Sequence, residues 1–179
     1  DDPDNPDVKI TTTRLTTRAH VAQESALVEL AGQAGRDRRG TLNPAQIKRG
    51  IAASGLSFTG EHGVAQRRMI DHLGMGGRFA VGIGAAGAGK TTLLKPLVAA
   101  WREQGADIHG ISLGWRQARE LREAGLNTEA EAGGRDTIAA VSVFINRVES
   151  GRLELSNRSV VVIDELGTIG TRQMLDLLR

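Results

Sequence analysis

A glycine-rich stretch followed by lysine and threonine has the clearest chemical potential in this sequence. Residues 84–91 read GAAGAGKT, which satisfies the pattern G-x-x-x-x-G-K-S/T. Backbone N–H groups of such a loop surround an anion, and the positive end of a following helix adds to the attraction. We expect Lys90 to reach the β and γ phosphates of a nucleotide and the Thr91 hydroxyl to bind Mg²⁺. The predicted nucleotide-binding residues are Gly84, Gly87, Ala88, Gly89, Lys90, Thr91 and Thr92.

Two adjacent carboxylates form the second chemical feature. Asp164 and Glu165 directly follow the β-branched run 160–163, so both emerge at the carboxyl end of a predicted buried strand. In P-loop proteins, an aspartate at this place holds Mg²⁺ and a neighbouring glutamate orients or deprotonates the attacking water. A plain polar strand terminus is the alternative for the pair alone. Together with the glycine-rich loop, the pair predicts an ATP and Mg²⁺ site in which Lys90 and Glu165 are the catalytic groups and Thr91 and Asp164 the metal ligands.

The elements that must position these groups alternate between strand and helix from residue 78 onward. Apolar runs predict strands at 79–83, 107–113 and 159–163, and the periodicity predicts helices from the glycine-rich loop to about 104, over 115–124 and over 136–149. Such alternation favours an α/β fold, with a parallel sheet flanked by helices as in RecA-like P-loop NTPases. Pro96 falls near the second turn of the helix that follows the loop, so we expect a bend there.

Three predicted helices precede the first strand. They cover residues 19–32, 44–54 and 60–73, with Thr17, Asn43 and Thr59 as candidate N-caps. The predicted organisation is a disordered acidic tail at 1–10, a helical segment at 11–57 and a P-loop ATPase motor domain at 58–179. Because the chain starts without methionine and stops within a predicted helix, we expect an incomplete motor domain from a longer protein.

Composition excludes several classes of function. The 179 residues contain no cysteine and no tyrosine, which excludes disulfide scaffolds, thiol nucleophiles and covalent tyrosyl intermediates. The absence of cysteine fits a reducing compartment, and no apolar run is long enough to span a membrane, so we expect a cytoplasmic protein without a membrane segment. Four aspartates in the first seven residues mask a basic body, and 19 of the 23 basic residues are arginine. This composition permits nucleic-acid binding without requiring it.

At five stretches the sequence resembles the superfamily 1 helicase region of plasmid conjugal-transfer relaxases of the TraA type. The stretches are GAAGAGKTT (84–92), GISLGWRQA (110–118), AVSVF (140–144), VVIDE (161–165) and GTRQM (170–174). The resemblance extends over residues 11–179 and implies ATP-driven translocation on single-stranded DNA. It further implies that the segment around Trp115, Arg116 and Arg119 faces DNA, with Trp115 stacking on a base. From the residues alone, Trp115 packing on one face of an amphipathic helix is the alternative.

The departures from that family leave other functions open. Relaxases cut DNA with a tyrosine and a histidine cluster, which this chain lacks, so the implied partners include the remaining motor and relaxase domains of a parent chain. Where such helicases have an adenine-recognising glutamine, the sequence has Glu61-His62, with Gln66 one turn later, so the choice of ATP over other nucleotides stays open. Two alternative functions remain. One is a stand-alone P-loop kinase or signalling NTPase, and the other is an interaction module that docks a protein through residues 11–55.

Overall fold

The computed structural model describes residues 16–84, 89–126 and 137–179. The predicted acidic tail at 1–10 lies outside these residues. Seven helices, three strands and one 3-10 turn follow one another along the described chain. In order they are α1 (Arg18–Arg36), α2 (Pro44–Ser54), α3 (Gly60–Met75), α4 (Leu94–Glu103), β1 (Asp107–Ile111), α5 (Trp115–Glu123), β2 (Thr137–Ala139), α6 (Val141–Glu149), β3 (Ser159–Ile163), the 3-10 turn Leu166–Thr168 and α7 (Thr171–Leu178).

The three strands form one parallel sheet in the order β2-β1-β3. β1 is central: Ile111 pairs with Ala139 of β2 and with Ile163 of β3. Parallel strands share their carboxyl edge, so the residues that follow β1, β2 and β3 meet on one side of the molecule. The predicted α/β architecture, a parallel sheet flanked by helices, is confirmed.

Helices cover both faces of the sheet. On one face, Ile108 and Val162 pack with Val98 of α4 and Leu121 of α5. On the other face, Ile111 packs with Phe144 of α6 and with partly buried residues that include Leu177 of α7. Consecutive side chains of a strand point to opposite faces of the sheet, so residues of both faces, such as Ile108 and Ile111 of β1, are buried under helices.

A third cluster joins the helices that precede the loop to the helix that follows it. Its buried members come from α2, α3 and α4 and from the residues just before α2 and α4. They are Leu42, Ile47, Ile70, Leu93, Leu97 and Ala100. α2 begins as predicted, with Asn43 at the N-cap in a reciprocal capping box with Gln46 and with Pro44 at the first helical position. Where the chain divides into domains stays a prediction.

A glycine in α2 sets how closely α2 and α4 approach. A Cβ on Gly50 would lie 2.2 Å from the carbonyl oxygen of Pro96 and 2.9 Å from Cβ of Ala100. We expect Gly50→Ala to lower the free energy of unfolding by about 1–3 kcal/mol, because backbone of α4 must move. Gly32→Ala in α1 is the matched control. Its Cβ would meet only Arg36 Nη1 at 3.7 Å, so it should raise stability by about 0.5–1 kcal/mol. Urea denaturation of both variants checks this, and equal stability of Gly50→Ala and the original chain would contradict the described helix crossing.

The prediction of a strand at 79–83 is wrong. These residues have no partner strand in the described sheet, and Val81 and Ile83 are 38% and 87% exposed. The segment instead packs along α3: the Val81 carbonyl lies 3.1 Å from His72 Nε2, and a Cβ on Gly82 would lie 2.6 Å from Met69 Sδ. Contacts with α3 therefore replace ladder hydrogen bonds.

Two boundaries after the loop also differ from prediction. The helix predicted at 136–149 is two elements, since Thr137–Ala139 pairs with β1 and the helix begins only at Val141. The helix that follows the loop begins at Leu94 rather than directly after the glycines. Pro96 therefore lies in the first turn, where the N–H that proline lacks would have no acceptor within the helix. At this position proline does not interrupt the helix, so a bend is no longer expected at Pro96.

Candidate nucleotide-binding site

The described parts of the glycine-rich loop bring Lys90 back onto the start of the loop. Lys90 Nζ donates a hydrogen bond to the Gly84 carbonyl oxygen at 3.0 Å. Gly89 has φ +73°, a left-handed conformation that favours glycine, and a Cβ there would lie 3.1 Å from Nε2 of Gln66. Predicted ligands Gly87 and Ala88 lie outside the described residues. An ammonium group with three donors can hold this carbonyl and an oxyanion at the same loop.

A tight turn connects Gly89 to α4. The Leu93 N–H donates to the Gly89 carbonyl at 3.1 Å, and the Leu94 N–H donates to the Thr91 carbonyl at 3.1 Å. Thr91 is half-buried, whereas Thr92 and Lys90 are exposed. The predicted phosphate and Mg²⁺ ligands therefore sit on a hydrogen-bonded turn that leads directly into α4.

The two carboxylates lie where β3 ends. The Asp164 N–H donates to the Ile111 carbonyl of β1 at 3.3 Å, so the strand pairing extends one residue beyond β3. Glu165 then has φ 58° and ψ 49°, and it is the one residue other than glycine with positive φ in the described chain. The Thr168 N–H and Oγ1 both donate to the Glu165 carbonyl, at 3.0 and 2.6 Å. A strained conformation that its neighbours hold in place is typical of functional sites.

Electrostatics connect the carboxylates to Lys90. Burial raises the pKa of Asp164 above its usual range, and the negative charges of Glu165 and Glu120 raise it further. The hydrogen bond from the Glu165 N–H to Asp164 Oδ1 acts in the opposite direction, and so does the positive charge of Lys90. The fold thus brings Lys90 within electrostatic reach of Asp164, although 74 positions separate the two residues in the sequence.

The residues at this edge fit Mg²⁺ by the chemistry of their donors. A carboxylate at Asp164 and a hydroxyl at Thr91 are hard oxygen ligands, and Mg²⁺ bound with a nucleotide takes only one or two protein ligands beside phosphate and water. Burial first, and then the charges of Glu165 and Glu120, raise the pKa of Asp164, and a divalent cation would favour its ionised form. When bound, Mg²⁺ would neutralise charge on the phosphates. In the described residues no three His, Asp or Glu side chains cluster as a larger metal site would require.

α5 presents the predicted DNA-facing arginines to solvent. Arg116 and Arg119 are 81% and 72% exposed in their side chains, and each pairs with a glutamate one turn later: Arg116 with Glu120 at 3.1 Å and Arg119 with Glu123 at 3.8 Å. Exposed pairs of this kind contribute little stability, so the guanidinium groups can exchange carboxylate for phosphate at small cost. The side chain of Trp115 lies outside the described part of the chain, and both interpretations of that residue stay predictions.

Two residues at the site are absent from the sequence-based predictions. Gln117 Nε2 donates to Glu165 Oε2 at 3.3 Å, and the Glu120 carboxylate is close enough to raise the pKa of Asp164. The two residues lie one turn apart on α5, and three residues separate α5 from the end of β1. The sequence does not reveal that β1 and β3 are neighbours in the sheet, and this pairing brings the start of α5 beside the end of β3.

Comparison with known proteins assigns the family. A family model described as an AAA domain matches residues 61–179, which is more than half of the chain, so the chain belongs to this family of AAA domains. The match contains both the glycine-rich loop and the carboxylate pair.

Curated relatives confirm the resemblance to TraA-type proteins. The chain is 35% identical over 110 residues to the Probable conjugal transfer protein TraA of Sinorhizobium fredii, covering 61% of this chain and 9% of that protein. It is 28% identical over 166 residues to the Conjugal transfer protein TraA of Rhizobium radiobacter, covering 90% and 13%. The corresponding protein of Agrobacterium fabrum is 33% identical over 119 residues, covering 64% and 10%. The chain thus spans about a tenth of these relatives, and no solved structure matches it.

Among the described helices, none combines the length and the apolar character that crossing a membrane demands.

Proposed function

We propose that this chain is the nucleotide-binding part of an ATP-driven motor that unwinds DNA or translocates along single-stranded DNA in plasmid conjugative transfer. The observation that carries the proposal is the position of Asp164 and Glu165 directly after β3, with the charge of Lys90 from the glycine-rich loop acting on Asp164. The AAA-domain match and the TraA relatives support a nucleotide-binding region of this kind. We further propose a cytoplasmic location and, as partners, the remaining motor and relaxase domains of a parent chain.

Each site residue has a distinct role in this proposal. The backbone of Gly84 and residues 87–89 surrounds the phosphates together with Thr92, and Lys90 neutralises charge that develops on the β and γ phosphates. Thr91 and Asp164 hold Mg²⁺. Glu165 accepts a proton from, or orients, the water that attacks the γ phosphate. Two adjacent carboxylates favour hydrolysis over transfer to a small acceptor, because a water nucleophile benefits from the second carboxylate.

Single-stranded DNA binding by α5 provides the test that separates a DNA motor from a nucleotide switch. We expect the double variant Arg116→Ala with Arg119→Ala to weaken binding of a fluorescein-labelled oligothymidylate. It should also lower the salt slope of log Kd by about 1.4, since each phosphate contact on a single strand contributes about 0.7. Fluorescence anisotropy at several salt concentrations measures both quantities.

The matched control changes two other exposed arginines, Arg152→Ala with Arg158→Ala. Arg158 directly precedes β3, so it lies at the opposite edge of the sheet from the site. This control should bind oligothymidylate as the original chain does. Equal loss of affinity in both double variants would indicate that net charge alone drives binding, and unchanged affinity in the α5 variant would contradict a DNA contact on α5.

A further inference from the structure

The contact between α5 and Glu165 joins two parts of the site that the proposed function treats separately. Gln117 is half-buried and its side-chain amide donates to Glu165 Oε2 at 3.3 Å. Gln117 lies in the first turn of α5, directly beside the exposed Arg116. One turn further on, Glu120 both pairs with Arg116 and raises the pKa of Asp164. The same helix therefore contacts the carboxylate pair on one side and solvent on the other.

The Gln117 amide group lies close to the residue that precedes α5. Gly114 precedes α5, and a Cβ on Gly114 would lie 3.1 Å from Gln117 Oε1, closer than ordinary packing allows without movement. Ile111 of β1 and Ile163 of β3 are partners in register, and the Asp164 N–H continues the pairing. Two neighbouring strands thus fix the separation between the start of α5 and Glu165.

The backbone and the carboxylate of Glu165 are held by different contacts. Its left-handed conformation costs free energy for a residue with a side chain, and Thr168 holds the carbonyl group but leaves the carboxylate to be oriented by other contacts. An amide donor orients one carboxylate oxygen without adding charge, so the other oxygen keeps its capacity to accept a proton.

We propose that Gln117 is a positioning residue for Glu165, and that through it α5 links nucleic-acid binding to nucleotide hydrolysis. The proposal rests on the proposed function, in which Glu165 acts on the attacking water. A phosphate contact at Arg116 shifts the first turn of α5, and Gln117 transmits that shift to the Glu165 carboxylate. Gln117 contacts neither nucleotide nor DNA in this scheme.

Three variants of Gln117 distinguish the effect of its hydrogen-bond donor from the effect of its side-chain packing. Gln117→Met has a similar length without a donor, Gln117→Lys restores a donor and adds a charge, and Gln117→Ala removes both. In single-turnover hydrolysis of Mg·ATP we expect Gln117→Met and Gln117→Ala to be slower by about tenfold to hundredfold, with Kd for Mg·ATP within about twofold of the original. Gln117→Lys should recover part of the rate, since its ammonium group restores a hydrogen-bond donor to the Glu165 carboxylate.

DNA stimulation provides the second kinetic readout. Adding oligothymidylate should accelerate hydrolysis by the original chain and leave Gln117→Met unaffected. A hydrolysis rate for Gln117→Met within about twofold of the original, or a loss of rate matched by an equal loss of Mg·ATP affinity, would overturn the positioning role.

An NMR measurement decides the proposal independently of turnover. The Gln117 side-chain amide signals in a ¹⁵N-labelled chain are identified by their loss in Gln117→Met, and they should shift in Glu165→Ala. Signals that do not respond to Glu165→Ala would overturn the proposal even if the chain binds Mg·ATP. Absence of Mg·ATP binding by the original chain, with the Gln117 signals still responding, would instead contradict the proposed function.

Discussion

Replacing Lys90 with alanine should weaken Mg·ATP binding by more than about 100-fold, the largest effect expected of any single substitution in this chain. The ammonium group bonds to the start of the glycine-rich loop, and its positive charge acts on Asp164. Removing it leaves the phosphate charges without a charge-assisted donor, and such bonds are about twice as strong as neutral ones. Lys90→Arg should not restore binding fully, because a planar guanidinium does not replace a compact ammonium inside a tight loop.

Nucleotide-dependent thermal stabilisation measures this effect. At a ligand concentration roughly 100 times Kd, Mg·ATP should raise Tm of the original chain by about 5–10 °C, and Lys90→Ala should show almost no shift. The shift, rather than Tm itself, is the quantity to compare, because Lys90→Ala also loses the bond to Gly84. Lys95→Ala is the matched control: Lys95 is exposed on α4, and its variant should keep the full shift.

Asp164→Asn should remove the Mg²⁺ dependence of nucleotide binding while making the chain more stable without ligand. Burial, together with the charges of Glu165 and Glu120, raises the pKa of Asp164, so the folded chain holds this proton more tightly than the unfolded chain does. At neutral pH the ionised carboxylate therefore opposes folding. Asparagine removes that charge but keeps an oxygen for the Glu165 N–H. Because Asp164 is partly exposed, solvent screening limits the gain in Tm to about 2 °C.

The direction in which the stability gain of Asp164→Asn changes with pH distinguishes the loss of a partly buried charge from a general effect of substitution. Raising the pH from the ordinary aspartate value of 3.8 through the raised pKa destabilises the original chain, so the gain from Asp164→Asn should be fully present above the raised pKa and vanish below pH 3.8. Thermal melts across this range measure it. Asp176→Asn on the exposed side of α7 is the control and should show no such gain. A Tm for Asp164→Asn below that of the original chain at pH 7 would contradict the account.

Sequence patterns correctly predicted the elements that depend on residues close together in the chain. β3 is a continuous β-branched run, and α2 has an N-cap with proline beside it, so both agree with the structure to within a residue. The loop and the carboxylate pair were also predicted as one site, because the pattern of each implies a place at the carboxyl edge of a parallel sheet. The roles of the individual residues remain predictions that the variants above address.

Elements that depend on neighbours in space were not predictable in this way. The spacing of three residues between Ile138, Val141 and Phe144 is typical of one face of a helix. Residues 137–139 nevertheless form a strand that pairs with β1. Residues 79–83 have the composition of a strand. No described strand pairs with them, and they pack along α3 instead. Gln117 belongs to the site only because β1 and β3 are adjacent, an arrangement that no local pattern encodes.

Isothermal titration calorimetry with Mg·ATP, performed in parallel on the original chain and on Lys90→Ala, tests the central claim most directly. We predict one nucleotide bound per original chain in the presence of Mg²⁺, weaker binding when EDTA removes the metal, and no measurable heat of binding for Lys90→Ala. Equal binding of Mg·ATP by the original chain and by Lys90→Ala would contradict the assignment of this loop and carboxylate pair as a nucleotide site.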